Sequence, residues 1–481
     1  MNEYLDTYFF SGAQAHKIAS EQNRYENDYM LQACYYDGEK IDSDLVNLIH
    51  LPVDNMLEDL AKGIYRIPDK VSLDGLELSE SIKMEIEANF NMSLIQVREY
   101  RKEYNKHYIK NLKYASLNFD EPLRFYLIAN SETQVMQYVS KSIAGVLKNA
   151  GYEVYYDLYY GIEDVGSTQN ISKFNPHVVI NLNHMNNAHI NNDCFNFVWF
   201  QDPMPILMDA REIMVRDRDY IFSYQTIYTN LLLKKHVPST KIFKQEVLPV
   251  NPEEFFYDKS IKREDKIIFV GSFYDSHNKE DFLDKKIAKQ IKEFMSAGNV
   301  LSYENLDAIF EKNSVEITQS SRDVYFNEIQ QSYARNLCVE WMCNSDKKVD
   351  LYGYKWELAK NNHIMQHFRG IATKSELNLL YNSAKYVLAA SGQLINTQRL
   401  GEIVHAGAIP VIYDSRDITD EVNTWDDECL YFKTQEELHA ILDNNLEPKK
   451  YRTKEMLDFF TYTNFLNTMF EQINKKLNRE T

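Results

Sequence analysis

Ser391-Gly-Gln-Leu-Ile-Asn-Thr-Gln-Arg-Leu-Gly-Glu-Ile-Val-His-Ala-Gly-Ala-Ile-Pro410 decides how this chain is read. It follows Tyr386-Val-Leu-Ala-Ala390, an apolar run with the length of a buried strand. It leads into Ala408-Ile-Pro-Val-Ile-Tyr413, another such run. Between them Asn396 or Thr397 offers an N-cap, and Ala406-Gly407 offers a helix stop. Strand, glycine turn, helix, strand is the repeating unit of a parallel α/β sheet. Ligands of such sheets sit beyond the carboxyl ends of the strands, where a helix N-terminus turns unpaired N–H groups and a positive dipole end toward an anion. Arg399 falls in the first turn, where a cation opposes the dipole, so its presence calls for an anionic partner. Glu402 lies one turn further, and its carboxylate can accept two hydrogen bonds from vicinal ribose hydroxyls.

Working outward, glycine is scarce, 15 in 481 residues, so its placement at strand ends is informative. Gly271 ends Lys266-Ile-Ile-Phe-Val270, Gly353 ends Lys348-Val-Asp-Leu-Tyr352, Gly370 ends His367-Phe-Arg, and Gly392 follows the strand before the quoted helix. Glycine there lets backbone approach a ligand closely. Upstream, Leu123-Arg-Phe-Tyr-Leu-Ile-Ala129, Glu153-Val-Tyr-Tyr156, Val178-Val-Ile-Asn-Leu182, Phe195-Asn-Phe-Val-Trp-Phe200, Tyr220-Ile-Phe-Ser223 and Phe243 to Pro249 form an earlier strand series. The two series imply two doubly wound parallel sheets. The polar stretch Asn251 to Asp265 separates them as a linker.

Residues before about 118 are expected to be mostly helical. Ile82, Met84, Ile86, Phe90, Leu94, Val97, Tyr104, Tyr108 and Leu112 recur at spacings of mostly three or four. This face serves packing or homo-oligomerisation, with Arg98, Arg101, Lys102, Lys106 and Lys110 on a solvated surface. The expected divisions are a helical N-terminal module over 1–118, a first α/β domain over 119–255, a second over 256–450, and a C-terminal helix over 451–481 that packs back on the first.

Composition excludes several classes. Acidic residues outnumber basic ones, 71 to 53, for a formal charge of −18. The overall field repels polyanions, which argues against nucleic acid as a partner. Cys34, Cys194, Cys338, Cys343 and Cys429 form no C-x-x-C pair and no zinc spacing, as expected of free thiols in a reducing compartment. The acidic N-terminus carries no secretory signal, and no stretch approaches a membrane span, so a cytoplasmic location is expected. No G-x-G-x-x-G follows a strand, which argues against a dinucleotide dehydrogenase.

Val349-Asp-Leu-Tyr-Gly353, Phe368-Arg-Gly370, Glu376-Leu-x-x-Leu-Tyr381, Arg399, Glu402, Gly407 and Pro410 resemble, in order, the C-terminal domain of family 1-like GT-B glycosyltransferases. The resemblance is particularly to the spore-maturation, CgeB-like branch. Ile268-Phe-Val-Gly271, Asn175-Pro-His-Val-Val-Ile180 and Trp199-Phe-Gln-Asp-Pro203 are similar to the same branch, so the resemblance spans roughly residues 122 to 475. It implies two facing Rossmann-like domains and transfer of a sugar from a nucleotide-sugar donor to a glycan, lipid or protein acceptor, as in glycan biosynthesis or protein glycosylation. It implies that Glu402 holds the nucleotide ribose and that Arg399 with the backbone of Gly271 and Ser272 meets the diphosphate. The turn Gly370-Ile371-Ala372 would frame the base, and Ser391, Gly392 and Thr397 would complete the donor site. One departure stands out. Many relatives carry a second Glu eight positions before the ribose Glu, and here that position is Leu394.

An inverting transfer needs a general base after the strands of the first domain. Glu132, His184 and Asp202 stand there. No D-x-D motif sits at a suitable strand end, so a metal-free site is expected, with no cofactor, where Arg399 and the helix dipole replace a divalent cation. Two other readings stay open. One is a non-catalytic glycan-binding or scaffold protein on a degenerate GT-B fold. The other is a GT-B sugar-nucleotide epimerase.

Overall fold

The computed structural model describes residues 6–22, 33–45, 47–130, 134–159, 165–202, 204–224, 226–245, 247–274, 285–316, 322, 325–359, 361–419 and 421–480. The chain divides into two compact units, Met1–Lys244 with Gln472–Thr481, and Gln245–Glu471.

The first unit opens with four three-residue strands, β1 (Thr7–Phe9), β2 (Cys34–Tyr36), β3 (Leu48–His50) and β4 (Lys70–Ser72). They form a parallel sheet in the order β3-β2-β1-β4. The first 118 residues therefore combine helices with a small sheet. Three-residue strands offer too few positions for an alternating pattern to show in sequence. The helix Glu80–Lys113 runs unbroken for 34 residues. It lays Phe90, Leu94 and Val97 on Tyr8 and Tyr35 of this sheet. Arg101, expected on a solvated face, is buried instead. Its Nε donates to Leu60 O at 2.6 Å, and Nη2 donates to Tyr65 O, so it closes the carbonyl end of the helix Val53–Ala61.

A six-stranded parallel sheet follows in the same unit, from β5 (Arg124–Asn130), β6 (Glu153–Tyr159), β7 (Val178–Leu182), β8 (Phe195–Phe200), β9 (Asp219–Ser223) and β10 (Ile242–Lys244). Its order is β10-β9-β8-β7-β5-β6. β7, β8 and β9 are buried along their whole length, which is why they read as unbroken apolar runs. The polar exceptions are hydrogen-bonded, Asp219 to Arg216 and Asn187, and Asn181 and Asn196 to each other. Asn181 Nδ2 donates to Asn196 Oδ1 at 2.6 Å, and Asn186 Nδ2 donates to Asn181 Oδ1 at 2.9 Å.

The second unit holds β11 (Glu264–Val270), β12 (Lys348–Tyr352), β13 (Phe368–Gly370), β14 (Ala384–Ala389), β15 (Ile409–Tyr413) and β16 (Leu430–Phe432). They form a parallel sheet in the order β13-β12-β11-β14-β15-β16. Alternate residues supply its two faces. Ile267, Phe269, Leu388 and Val411 pack into one core, and Ile268, Val270, Val387 and Ile412 into the other. The fold class is α/β, with a doubly wound parallel sheet in each unit.

The stretch 251–265, read as a linker, lies on the second unit. Phe255 is buried in its core. Phe256 N and Asp258 N donate to the side-chain oxygens of Asn378 and Asn382 at 3.0 and 2.8 Å. The division between units falls earlier, after Lys244. At the other end Gln472–Thr481 belongs to the first unit, where Lys476 pairs with Asp217. None of the five cysteines forms a disulfide, and all are buried. Among the described residues no helix is long and apolar enough to cross a membrane.

Candidate functional site

In the second unit the strand order reverses between β11 and β14, which pair directly. That switch point is where doubly wound sheets take ligands. β11 runs into Gly271 and Ser272, and β14 runs into Ser391 and Gly392.

Gly271 is held by a hydrogen bond from its N to Tyr352 O, 2.9 Å, and by one from Trp356 Nε1 to its own O, 2.8 Å. A Cβ on Gly271 would stand 2.8 Å from the Phe269 ring and 3.2 Å from Arg399 Nη2. A side chain here would push the Phe269 ring aside and crowd the guanidinium. Gly353, at φ 142°, lets the turns after β11 and β12 cross in contact, because a Cβ there would overlap Gly271 O.

The loop after β14 is pinned before it becomes a helix. Leu394 N donates to Ser391 Oγ at 3.2 Å. The Glu421 carboxylate accepts from Ile395 N at 2.6 Å and from Asn396 N at 2.9 Å. Buried Asn396 donates to Asn423 O and accepts from Trp425 Nε1. Thr397 caps the helix Gln398–Ala406, its side chain accepting from Leu400 N at 3.3 Å, and Gly407 ends it at φ 80°. The amides of Gln398 and Arg399 are those that helix geometry leaves without an intrahelical acceptor.

Arg399 lies half-buried over the Phe269 ring, 5.2 Å from the centroid. Glu402 is buried. Its Oε1 accepts from Gln398 Nε2 at 3.1 Å, and its Oε2 faces Tyr381 OH at 3.4 Å. Burial pushes this carboxyl up to about 7, against the lowering charges of Arg399 and Lys374. Burial likewise raises the Tyr381 hydroxyl.

Gly271, Arg399 and Glu402 are thus brought together, with Thr397 and Ser391 fixing the loop between them. Gly392 behaves differently from the expectation that it opens backbone to a ligand. A Cβ there would stand 3.2 Å from Ala334 Cβ and 3.3 Å from Gln330 Cγ, so its smallness serves packing. Gln330 Nε2 donates to Gly392 O at 2.8 Å. Gly370 and Ile371 stand two strands from β11. Gly370 has φ 105° and open space where a Cβ would be, and Ile371 is exposed. His277 and Lys279 lie outside the described residues.

In the first unit the strand order reverses between β5 and β7. Glu132, just past β5, lies outside the described residues. His184 follows β7 and is half-buried. Asp202 follows β8, and Asn183 ties the two strand ends together. Asn183 Oδ1 accepts from Gln201 N at 2.7 Å and from Asp202 N at 3.2 Å, while its Nδ2 donates to Asp202 Oδ2 at 2.8 Å. Desolvation holds the Asp202 carboxyl above its ordinary value, opposed by the Asn183 hydrogen bond. The residue still keeps exposed surface. Among the described residues no group of three or more His, Cys, Asp or Glu side chains gathers as a metal site.

Residues 332–458 match the model of the glycosyl transferase-like family. The second unit therefore carries a glycosyl transferase-like segment, and it contains Gly353, Gly370, Tyr381, Arg399 and Glu402. No curated protein matches the chain in sequence. Among solved structures the chain is similar to sucrose-phosphate synthase from Thermosynechococcus elongatus. The TM-score is 0.44 at 10% identity, over 75% of this chain and 100% of that one. It is also similar to the apo form of the lipopolysaccharide outer core galactosyltransferase WaaB, with TM-score 0.38 at 10% identity, over 73% and 100%. Both superpositions are loose.

Tyr381 and Gln398, the protein partners of Glu402, were not singled out from sequence for that contact. Arg335, on the helix Gln330–Cys343, was missed altogether. Its Nη1 reaches Ser272 O at 3.4 Å across a sequence separation of 63. Nothing local signals that contact.

Proposed function

We propose that this chain is a GT-B glycosyltransferase that moves a sugar from a nucleotide-sugar donor to a glycan, lipid or protein acceptor without a metal ion. The observation that carries the reading is the capped helix Gln398–Ala406, which begins at the β11/β14 switch point with Arg399 in its first turn and Glu402 one turn on. The Gln398 and Arg399 amides and the Arg399 guanidinium would hold the diphosphate. They would take up the charge that develops on it as the glycosidic bond breaks. Glu402, when ionised, has lone pairs to spare for the two ribose hydroxyls beside its bonds to Gln398 and Tyr381. The turn after Gly370 would frame the base, with Ile371 offering an exposed apolar surface.

On the acceptor side Asp202 is the preferred base and His184 the alternative. The raised proton affinity of Asp202 suits a group that must take a proton from a hydroxyl. Leu394 stands where a retaining relative would carry its second Glu. The nearby Glu421 carboxylate is engaged by the Ile395 and Asn396 amides. The reading therefore favours inversion.

The test is a thermal-shift screen of the full chain against UDP-, GDP- and CMP-sugars, then turnover of the best donor with added acceptors. Transfer product with release of nucleotide supports the proposal. An epimerised donor without transfer, or saccharide binding with no nucleotide binding, would refute it.

A further inference from the structure

We propose that the second unit holds a neutral saccharide chain at the amino ends of its strands, at the end of the sheet opposite Gly271, Arg399 and Glu402. This site is independent of the donor-site reading, because it shares no residue with it.

A cavity of about 710 Å³ opens there, its lining including Tyr257, Glu264, Asp265, Lys385, Asn445 and Tyr451. That volume falls within the range of small-ligand sites. β11 begins at Glu264 and β14 at Ala384, next to Lys385. Helices of a parallel sheet run back against the strands, so their carbonyl ends collect at the same edge. Arg263 answers two of those ends, donating to Asn382 O and Ala406 O, both at 3.2 Å, and to Gly407 O.

Charge around the cavity is already matched. Glu264 pairs with Lys348 at 2.5 Å, Asp265 with Lys347 at 2.7 Å, and Glu447 with Lys385 at 3.3 Å. An ionic ligand would have to break one of these pairs or go unanswered, so the lining selects a neutral one.

What stays open is hydrogen-bonding and aromatic surface. Among the described residues the Tyr257 hydroxyl has no hydrogen-bond partner. Lys347 Nζ donates to Asn445 Oδ1 at 2.6 Å, which fixes the amide and leaves its Nδ2 to donate elsewhere. Glu447 keeps lone pairs beyond its contact with Lys385. Tyr257 and Tyr451 are 39% and 46% exposed, yet both are held. The guanidinium carbons of Arg263 and Arg452 stand 5.3 and 5.0 Å from the Tyr257 ring centroid. The Tyr451 hydroxyl donates to Gly407 O and accepts from Arg263 Nη1 at 2.9 Å. Rings fixed in advance lose little freedom when a ligand arrives. A sugar ring offers polarised C–H groups, which suit the negative face of an aromatic ring, and hydroxyls, which suit a phenol, an amide and a carboxylate.

The test is calorimetry of the full chain with neutral tetrasaccharides of gluco, galacto and manno configuration. A cationic chitosan tetramer and an anionic tetragalacturonate serve as charged probes. At least one neutral tetrasaccharide should bind, and more tightly than either charged one. Tyr257→Phe keeps the ring, and Asn445→Gly keeps the left-handed backbone at φ 51°. Each should weaken binding about threefold to tenfold, the scale of one neutral hydrogen bond, with an unchanged melting temperature. Tyr451→Ala should lose the saccharide and Tyr451→Phe should retain it, which separates stacking from the hydroxyl anchor. Neutral saccharide binding that all of these variants leave unchanged places the sugar elsewhere and overturns the site. Tighter binding of a charged probe overturns the neutral assignment. A chain that binds no tetrasaccharide overturns the proposal and leaves the donor-site reading standing, since nucleotide binding alone tests that.

Discussion

Replacing Glu402 by Gln should make the protein more stable at alkaline pH while weakening its hold on donor. The carboxyl sits in a buried place where Gln398 donates one hydrogen bond and the Tyr381 hydroxyl faces the other oxygen. Burial raises it from an ordinary 4.5 to about 7. Below about pH 4.5 it is protonated in both folded and unfolded chains and costs nothing. Between about 4.5 and 7 the unfolded chain gives up its proton while the folded chain keeps it, so stability falls as pH rises. Above 7 the loss is complete. At roughly 1.4 kcal/mol per tenfold change in proton affinity, it reaches on the order of 3 kcal/mol. A Gln amide keeps both neighbouring contacts and never ionises. Denaturant unfolding of parent and Glu402→Gln should therefore coincide near pH 4.5 and separate above pH 7, with the variant ahead by up to that amount. Donor titrations on the same proteins should give an affinity that rises from pH 6 to 8 in the parent, as the ionised form becomes available to ribose hydroxyls. The variant should be weaker and flat. A Gln variant that is less stable at pH 8, or one offset by the same amount at every pH, would refute the reasoning. Glu402 would then be an ionised structural carboxylate.

Arg399→Ala should weaken donor binding about tenfold to a hundredfold, read by calorimetry, with Arg399→Lys intermediate because a point charge lacks the planar fork. Asp202→Asn should lower kcat by about 10² to 10⁴ with donor affinity unchanged, and if His184→Ala does so instead, the base is His184. Gly353→Ala should destabilise by more than about 2 kcal/mol in chemical unfolding, since its Cβ would overlap Gly271 O at a positive φ. Treatment with EDTA should leave turnover unchanged, and complete loss restored by a divalent cation would reverse the metal-free reading.

How much of this could be read from the sequence depends on how far each feature reaches along the chain. β7, β8, β11 and β15 were legible because parallel strands buried on both faces are short apolar runs. The helix Gln398–Ala406 was legible from Thr397 at one end and Gly407 at the other, both local devices. The sheet of β1 to β4 was not, because each strand is three residues long and its pairing joins segments up to 63 residues apart. Arg101 looked like a surface cation because its acceptors, Leu60 O and Tyr65 O, lie some forty residues earlier. Gly392 shared its place at a strand end with Gly271, and only coordinates separate a glycine that admits a guanidinium from one that admits Ala334. The place of Arg335 was hidden for a similar reason, since it lies on a helix and its neighbours Ser272 and Tyr274 lie in the loop after β11, about sixty residues earlier.

A crystal structure of the chain with the nucleotide selected by the donor screen tests the site most directly. Phosphate oxygens within hydrogen-bond distance of the Gln398 and Arg399 amides, with a ribose on Glu402, are expected. A nucleotide bound elsewhere, with that helix tip untouched, would contradict the assignment.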